Sequence, residues 1–275
     1  VLKSLGGKLK KILSIVIIFV VVLAFTGCID VKTKIIVNKN GSGTVEETVL
    51  MSTEMVQMLK QFISGFADDS TDVKEFNLYN EEDLKNRASD FGKGVQFLGG
   101  EALKKEGREG YISRYSFENL NELKFNQNPS NVMPDEMESS QQEQTEYIIF
   151  SFFKGDESEI IVNMPPASKE IEDINLSTDS SDISDLSRIK SIMKDLQISL
   201  IVEVNGEITE TNADYIDGSS VTLFDLDFSA LLDDTEKLEE IKKINPNNLQ
   251  DLKEIIKDIP GISIETNNPV KIKFR

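Results

Sequence analysis

Val31-Lys32-Thr33-Lys34-Ile35-Ile36-Val37-Asn38-Lys39-Asn40-Gly41-Ser42-Gly43-Thr44-Val45-Glu46-Glu47-Thr48-Val49-Leu50-Met51 is the stretch that decides the fold of this chain. Two β-rich runs, Val31 to Val37 and Thr44 to Met51, flank a segment of Asn, Gly and Ser. Asn and Gly tolerate the positive φ that tight turns demand, so the stretch predicts an antiparallel hairpin. Ser52 or Thr53 then caps a helix running to about Phe66. Its apolar stripe, Met55, Leu59, Phe62 and Ile63, has helical spacing and reads as core packing.

The same grammar continues downstream. Asn80 followed by Glu81, Glu82 and Asp83 marks a second helix start, ending near Gly92, because acids favour the positive end of the helix dipole. Gly94 to Leu103 and Gly110 to Phe117 predict a second hairpin around the charged turn Glu106-Gly107-Arg108-Glu109. Tyr147 to Phe153 and Glu159 to Met164 predict a third, across Gly155-Asp156. Polar insertions are expected near 126–145 and 165–182, with an acidic run from Ser168 to Asp185. Ile183, Leu186, Ile189, Ile192, Met193 and Leu196 then have helical periodicity. Ile198 to Val204, a turn at Asn205-Gly206, Ile208 to Asn212 and Val221 to Phe228 read as strands. Short helices are expected over about 235–244 and 248–257, and Ile262 to Ile264 and Val270 to Phe274 close the chain as strands. Runs of strands broken by segregated helices predict an α+β architecture with a mainly antiparallel sheet.

Upstream of the first hairpin lies a different kind of segment. Lys3, Lys8, Lys10 and Lys11, with no acid, precede an apolar run from Ile15 to Phe25, which ends Phe25-Thr26-Gly27-Cys28. These are the charged, apolar and cleavage regions of an export signal. The apolar run from Ile12 to Phe25 is shorter than the ~20 residues a membrane-spanning helix needs. The small residues before Cys28 resemble the lipobox of bacterial lipoproteins. That resemblance implies a signal peptide over residues 1–27, cleavage between Gly27 and Cys28, diacylation of the Cys28 thiol and acylation, as by palmitate, of the new amino terminus. An uncleaved anchor with an inert Cys28 thiol is the plainer alternative. Residues 28–275 would then form an extracytoplasmic domain on the cell membrane, and acyl chains at ~0.8 kcal/mol per buried methylene are enough to anchor it.

Charge and composition bound what this domain does. The chain has 275 residues and a formal charge of −18, and losing residues 1–27 removes four lysines and no acid, leaving −22. Such a surface repels nucleic acid and anionic headgroups, so attachment is expected through the acyl chains, with the folded part held off the bilayer. There is no histidine, no tryptophan and one cysteine. That excludes Cys/His zinc sites, Ser-His-Asp and Cys-His nucleophiles, histidine-ligated haem and any disulfide within the chain. No catalytic residue, metal or cofactor is assigned.

Acids remain abundant, but their patterns are bland. Asp68-Asp69-Ser70-Thr71-Asp72 and Asp179-Ser180-Ser181-Asp182-Ile183-Ser184-Asp185 lack the order and the twelfth-position Glu of a calcium loop. A glycan-cleaving carboxylate pair needs two acids across a cleft, usually with aromatic platforms, in a chain with no Trp. Gly92, Gly94, Gly99 and Gly100 read as turn and bulge glycines, because no Gly-Lys-Ser/Thr follows. Phe150 to Phe153 and Phe224 to Phe228 alternate like strands with one apolar face, whose commoner fate is core rather than pocket.

Two stretches resemble one family together. Ile35 to Val45 is similar to the opening hairpin of LppM-like bacterial lipoproteins, and Val204-Asn205-Gly206-Glu207-Ile208-Thr209-Glu210-Thr211-Asn212-Ala213 with Asp217-Gly218-Ser219-Ser220-Val221 is similar to a later segment of that family. The resemblance implies a curved sheet packed by helices, a pocket for a lipid or other apolar ligand, and no catalysis. The expected function is therefore that of a non-enzymatic domain binding a ligand or partner at the cell surface. The alternatives are an assembly subunit with an envelope protein partner and, last, a carboxylate-based enzyme acting on glycans.

Overall fold

The computed structural model describes residues 29–66, 77–126, 147–165, 196–229, 253–255, 257 and 259–275. The opening hairpin is β1 (Ile29–Val37) and β2 (Gly43–Ser52), paired Ile29 to Met51 and Val37 to Gly43. Gly41 has φ 85° at its turn, and a Cβ there would sit 2.5 Å from the Phe152 ring, so the turn packs tightly on the strand carrying that phenylalanine. Ser52 Oγ accepts the Met55 N–H at 3.2 Å and starts α1 (Thr53–Phe66). Asn80 caps α2 (Glu81–Asn86) by accepting the Glu82 N–H at 3.1 Å, and a 3-10 turn over Arg87–Phe91 carries the chain to Gly92.

β3 (Gln96–Lys105) and β4 (Arg108–Phe117) form the second hairpin. Its turn is only Glu106 (φ 50°) and Gly107 (φ 76°), so the strands run further into the charged residues than expected. A two-residue turn with both φ positive matches the twist of its strands. β5 (Lys124–Asn126), β6 (Tyr147–Phe153) and β7 (Ser158–Asn163) follow, then β8 (Leu196–Val204), β9 (Ile208–Thr211), β10 (Ile216–Asp217) and β11 (Ser220–Asp227). β12 (Ile262–Ile264) and β13 (Val270–Phe274) lie where the alternation predicted them.

The expected single curved sheet is in fact two sheets, and the described residues are mostly strand with few helices. The larger sheet has the order β10-β11-β8-β1-β2-β4-β3, with β12 also on β11; the smaller runs β5-β6-β7-β13-β9. Pairing is antiparallel as expected, except that β8 lies parallel to β1. The physical reason for two sheets is coverage. A broad sheet with one apolar face has to bury it, and a second sheet does so over half of that face. Ile35, Val37, Val45, Phe117, Leu200, Val202 and Val204 of the larger sheet share one core with Ile148, Phe150, Ile160, Val162, Val270, Ile272 and Phe274 of the smaller. The other half is covered by Met55, Val56 and Leu59 of α1 and Leu84 of α2, over Ile29, Val31, Val49, Met51 and Tyr111.

In chain order the described strands change sheet five times, after β4, β7, β8, β9 and β12, and the crossings after β9 and after β12 are tied side by side. Asn212 Nδ2 donates to the Pro269 carbonyl at 3.1 Å, and its Oδ1 accepts from Lys271 N at 2.7 Å. Asn267 Nδ2 donates to the Asn212 carbonyl at 2.8 Å. Glu265, 1% exposed, accepts the N–H groups of Asp214 at 2.6 Å and Asn267 at 2.8 Å. A buried carboxylate is tolerable here because backbone donors satisfy it.

The insertions read near 126–145 and 165–182, the helical tail from Ile183 to Met193 and most of the two late helices lie outside the described residues; Leu196 opens β8, and residues 253–255 are helical.

Candidate functional site

Cys28 and Gly27, the residues singled out for lipidation and cleavage, lie outside the described residues, as do both acid-rich stretches weighed for calcium. What the fold does define is the end of the larger sheet from which Cys28 departs. Ile29 is the first residue of β1, is 2% exposed, and pairs with Met51 on one side and Leu196 on the other. The register puts the β3–β4 turn at this same end, since Ser52 pairs with Arg108 and Arg108 with Lys105. Thr53 fixes that turn to the start of α1 by donating from N at 3.0 Å and from Oγ1 at 2.9 Å to the Gly107 carbonyl.

The face of the larger sheet turned away from the core carries charge in rows. Lys34 Nζ reaches Glu203 diagonally at 2.9 Å, and Arg114 Nε reaches Glu46 at 2.8 Å. Nearer the Cys28 end stand Asp30, 3.8 Å from the Arg108 guanidinium, then Asp225 and Asp227. Partial burial pushes the Asp30 carboxyl above the ordinary carboxylate range against the pull of Arg108 and Lys32. Partial burial likewise raises Asp225, with Lys32 opposing and Asp30 and Asp227 adding to the rise. Among the described residues no group of three metal-ligating side chains converges to hold an ion.

A raised carboxylate pKa means that the folded state holds the proton more tightly than the unfolded chain. Stability therefore falls as pH rises through that window, and the charged form is penalised above it. Asp225→Asn should accordingly be slightly more stable than the parent at pH 7, by at most ~0.5 kcal/mol at so solvated a position. The gain should shrink to nothing as pH falls below the carboxylate titration, which thermal melts at stepped pH would follow.

Inside the molecule a polar row interrupts the apolar face of the larger sheet. Thr33, Glu47 and Ser113 stand opposite one another on β1, β2 and β4, all at most 1% exposed, and they divide the two halves of the core. Glu47 sits between Val45 and Val49 on the inward side of β2. Arg87 Nη2, from the 3-10 turn, donates to Glu47 Oε1 at 2.9 Å, while Nη1 donates to the Tyr111 hydroxyl at 2.9 Å, which donates to Glu47 Oε2 at 3.4 Å. Burial pushes the Glu47 carboxyl up, against the opposing pull of Arg87 and Tyr111. Burial works most strongly against the Arg87 charge, but Glu47, Tyr111, Tyr115 and Asp90 together outweigh it and Arg87 stays protonated. Burial also raises the neighbouring Tyr115 hydroxyl, to about 12.

This triangle was not anticipated, although alternation along β2 puts Glu47 on the core side. Its chemistry is that of a closed ion pair. Of the two buried acids among the described residues, Glu47 faces a guanidinium and Glu265 accepts from backbone N–H groups. Phe150 is 3% exposed, and Phe152 and Phe224 pack against the same core, so the aromatic runs serve chiefly as core; Phe153 alone of these is strongly exposed, at 55%. Gly92, Gly94 and Gly99 have positive φ, and the β3–β4 register shifts between Phe97 and Gly99, so these are turn and bulge glycines.

The two stretches that resemble one family meet in space because β8 runs beside β1. Asn205 N donates to the Val37 carbonyl at 2.8 Å, and Asn205 Nδ2 donates to Asn38 Oδ1 at 3.1 Å.

No protein-family model matches the chain, and no curated protein matches it. Among solved structures it is similar to the NMR structure of the folded domain of the Mycobacterium tuberculosis LppM protein, with 12% identity, 91% of this chain and 92% of that chain covered, and a TM-score of 0.33. A likeness at that score leaves the family of this chain unassigned. Among the described residues no helix is long and apolar enough to cross a membrane.

Proposed function

We propose that this chain is an exported lipoprotein, anchored through acyl chains on Cys28, whose folded part is a non-enzymatic domain that binds a ligand or partner on the extracytoplasmic face of the cell membrane. The observation that carries the reading is the meeting of two boundaries. The signal-like segment ends at Cys28, and β1 begins at Ile29, already buried in the core under α1. Cleavage before Cys28 therefore removes no residue of the described core. A signal peptide cut deeper in the chain would take away Ile29 and Val31, each buried.

The non-enzymatic part rests on chemistry. A chain without histidine, whose one cysteine is used as an anchor, has to draw general acid–base catalysis from carboxylates or lysines. The two buried acids among the described residues, Glu47 and Glu265, already have structural partners. Partner binding is left to the surfaces, among them the exposed Leu98, Ile149 and Phe153.

Metabolic labelling with an alkyne palmitate in a bacterial host tests the anchor. The wild-type chain should take up label, and Cys28→Ala should lose it altogether while keeping residues 1–27. Equal labelling of the two chains would remove Cys28 from the account.

A further inference from the structure

Resting on the lipid anchor at Cys28, we infer that the end of the larger sheet bearing Ile29 and the β3–β4 turn lies directly against the lipid headgroups. The short connection between anchor and fold fixes this placement. An acylated Cys28 has its sulfur at the headgroup boundary, and the Ile29 Cα follows the Cys28 Cα by ~3.8 Å across one peptide bond. Ile29 is already the paired, buried first residue of β1, so no linker separates bilayer and fold. The body is thus not held off the membrane, as net charge alone suggested.

Local charge permits this contact. Residues 104–109 carry Lys104, Lys105 and Arg108 against Glu106 and Glu109, a net positive tip in a chain where acids outnumber bases 48 to 30. Lys104 keeps 81% of its side-chain surface exposed while lying 3.6 Å from Glu109. The tip is rigid because Thr53 holds Gly107. The alternative posture, with the open face of the sheet laid on the bilayer, would press Asp30, Glu46, Glu203 and Asp225 against anionic headgroups, which repel them. End-on attachment keeps Glu46 and Glu203 off the headgroups and leaves Asp30, beside Ile29, paired with Arg108 of the basic tip, and it points the Asn38–Ser42 turn and the smaller sheet away from the lipid.

Cys28 is the only cysteine, so once it is acylated an introduced cysteine is the only free thiol for labelling. The test uses the full acylated chain in vesicles of phosphatidylethanolamine and phosphatidylglycerol containing a headgroup spin-labelled lipid. A fluorophore is placed on Lys105→Cys, the exposed last residue of β3 opposite the start of β4, or on Glu118→Cys, the exposed residue just beyond the other end of β4. Ten residues at ~3.3 Å each separate the sites by ~30 Å, so quenching at 105 should exceed that at 118 at least ~3-fold. A ten-residue Gly/Ser insertion between Cys28 and Ile29, reaching ~17 Å on average, should erase most of the difference. Equal quenching at both sites, with acyl mass present on the same sample, would overturn the orientation alone. A sample without acyl mass would overturn the lipoprotein reading and the orientation with it.

Discussion

Deletion of residues 270–275 should abolish the folded state. These residues are β13 and the following Arg275, and β13 is not an edge but lies between β7 and β9 in the smaller sheet. Val270, Ile272 and Phe274 are each 0% exposed in the core shared by both sheets. At ~1.5–3 kcal/mol for each fully buried apolar side chain, their burial contributes ~5–9 kcal/mol. The total stability of a domain is only ~5–15 kcal/mol, so the loss is of the same size as the whole. The deletion also strips β7 and β9 of backbone partners and frees the Asn212–Lys271 tie. The shortened chain should show no cooperative melt and should be degraded rapidly by protease. Lys271→Ala, on the outward side of the same strand, should stay within ~0.5 kcal/mol of the parent. A cooperative melt near the parental temperature for the deletion would contradict the two-sheet core.

Glu47→Ala is expected to cost about 3 kcal/mol. Removing one partner of a buried ion pair costs ~3–5 kcal/mol because the other charge stays behind uncompensated, and the low end applies to Arg87, whose side chain keeps 17% of its surface. Glu47→Gln retains an acceptor for the guanidinium and should cost less. The informative comparison is the double variant Glu47→Leu with Arg87→Met. With both charges gone and volume kept, it should recover most of the loss, since well-packed apolar replacements of buried ion pairs are often neutral. Urea titrations of the double variant beside its single components, Glu47→Leu and Arg87→Met, give the sign of the coupling directly. A double variant as unstable as the sum of its parts would mean that the triangle is not acting as a unit.

Much of the fold was legible because it rests on local chemistry. Asn38 to Gly43 announced its turn, Asn80 its helix, and Val270, Ile272 and Phe274 their inward face. The strands flanking the β3–β4 turn were read two residues short on each side because Lys104, Lys105 and Arg108 look like loop residues, yet they end strands on an exposed hairpin tip. Strand order was out of reach: nothing near Ile198 to Val204 says that it pairs in parallel with a strand 167 residues earlier, and nothing near Ile208 says that it joins the other sheet.

The site divides the same way. Lys3 to Cys28 can be read along one segment, since export chemistry acts on a linear stretch. Glu47 could have been placed on the core side of β2 from Val45 and Val49 alone. Its partner could not, because Arg87 comes from a short 3-10 turn 40 residues on and meets it only through tertiary packing. The orientation at the bilayer needed both kinds of information, the boundary at Cys28 from sequence and the burial of Ile29 from the fold.

The central claim, that a lipid anchor joins this fold at its first strand residue, is tested most directly by the intact mass of the full chain extracted from the membranes of a lipoprotein-processing bacterium. The account predicts a chain beginning at Cys28 and carrying diacylglycerol with or without a further acyl group. A mass that retains residues 1–27, or a cut beyond Ile29 without acyl mass, would contradict it.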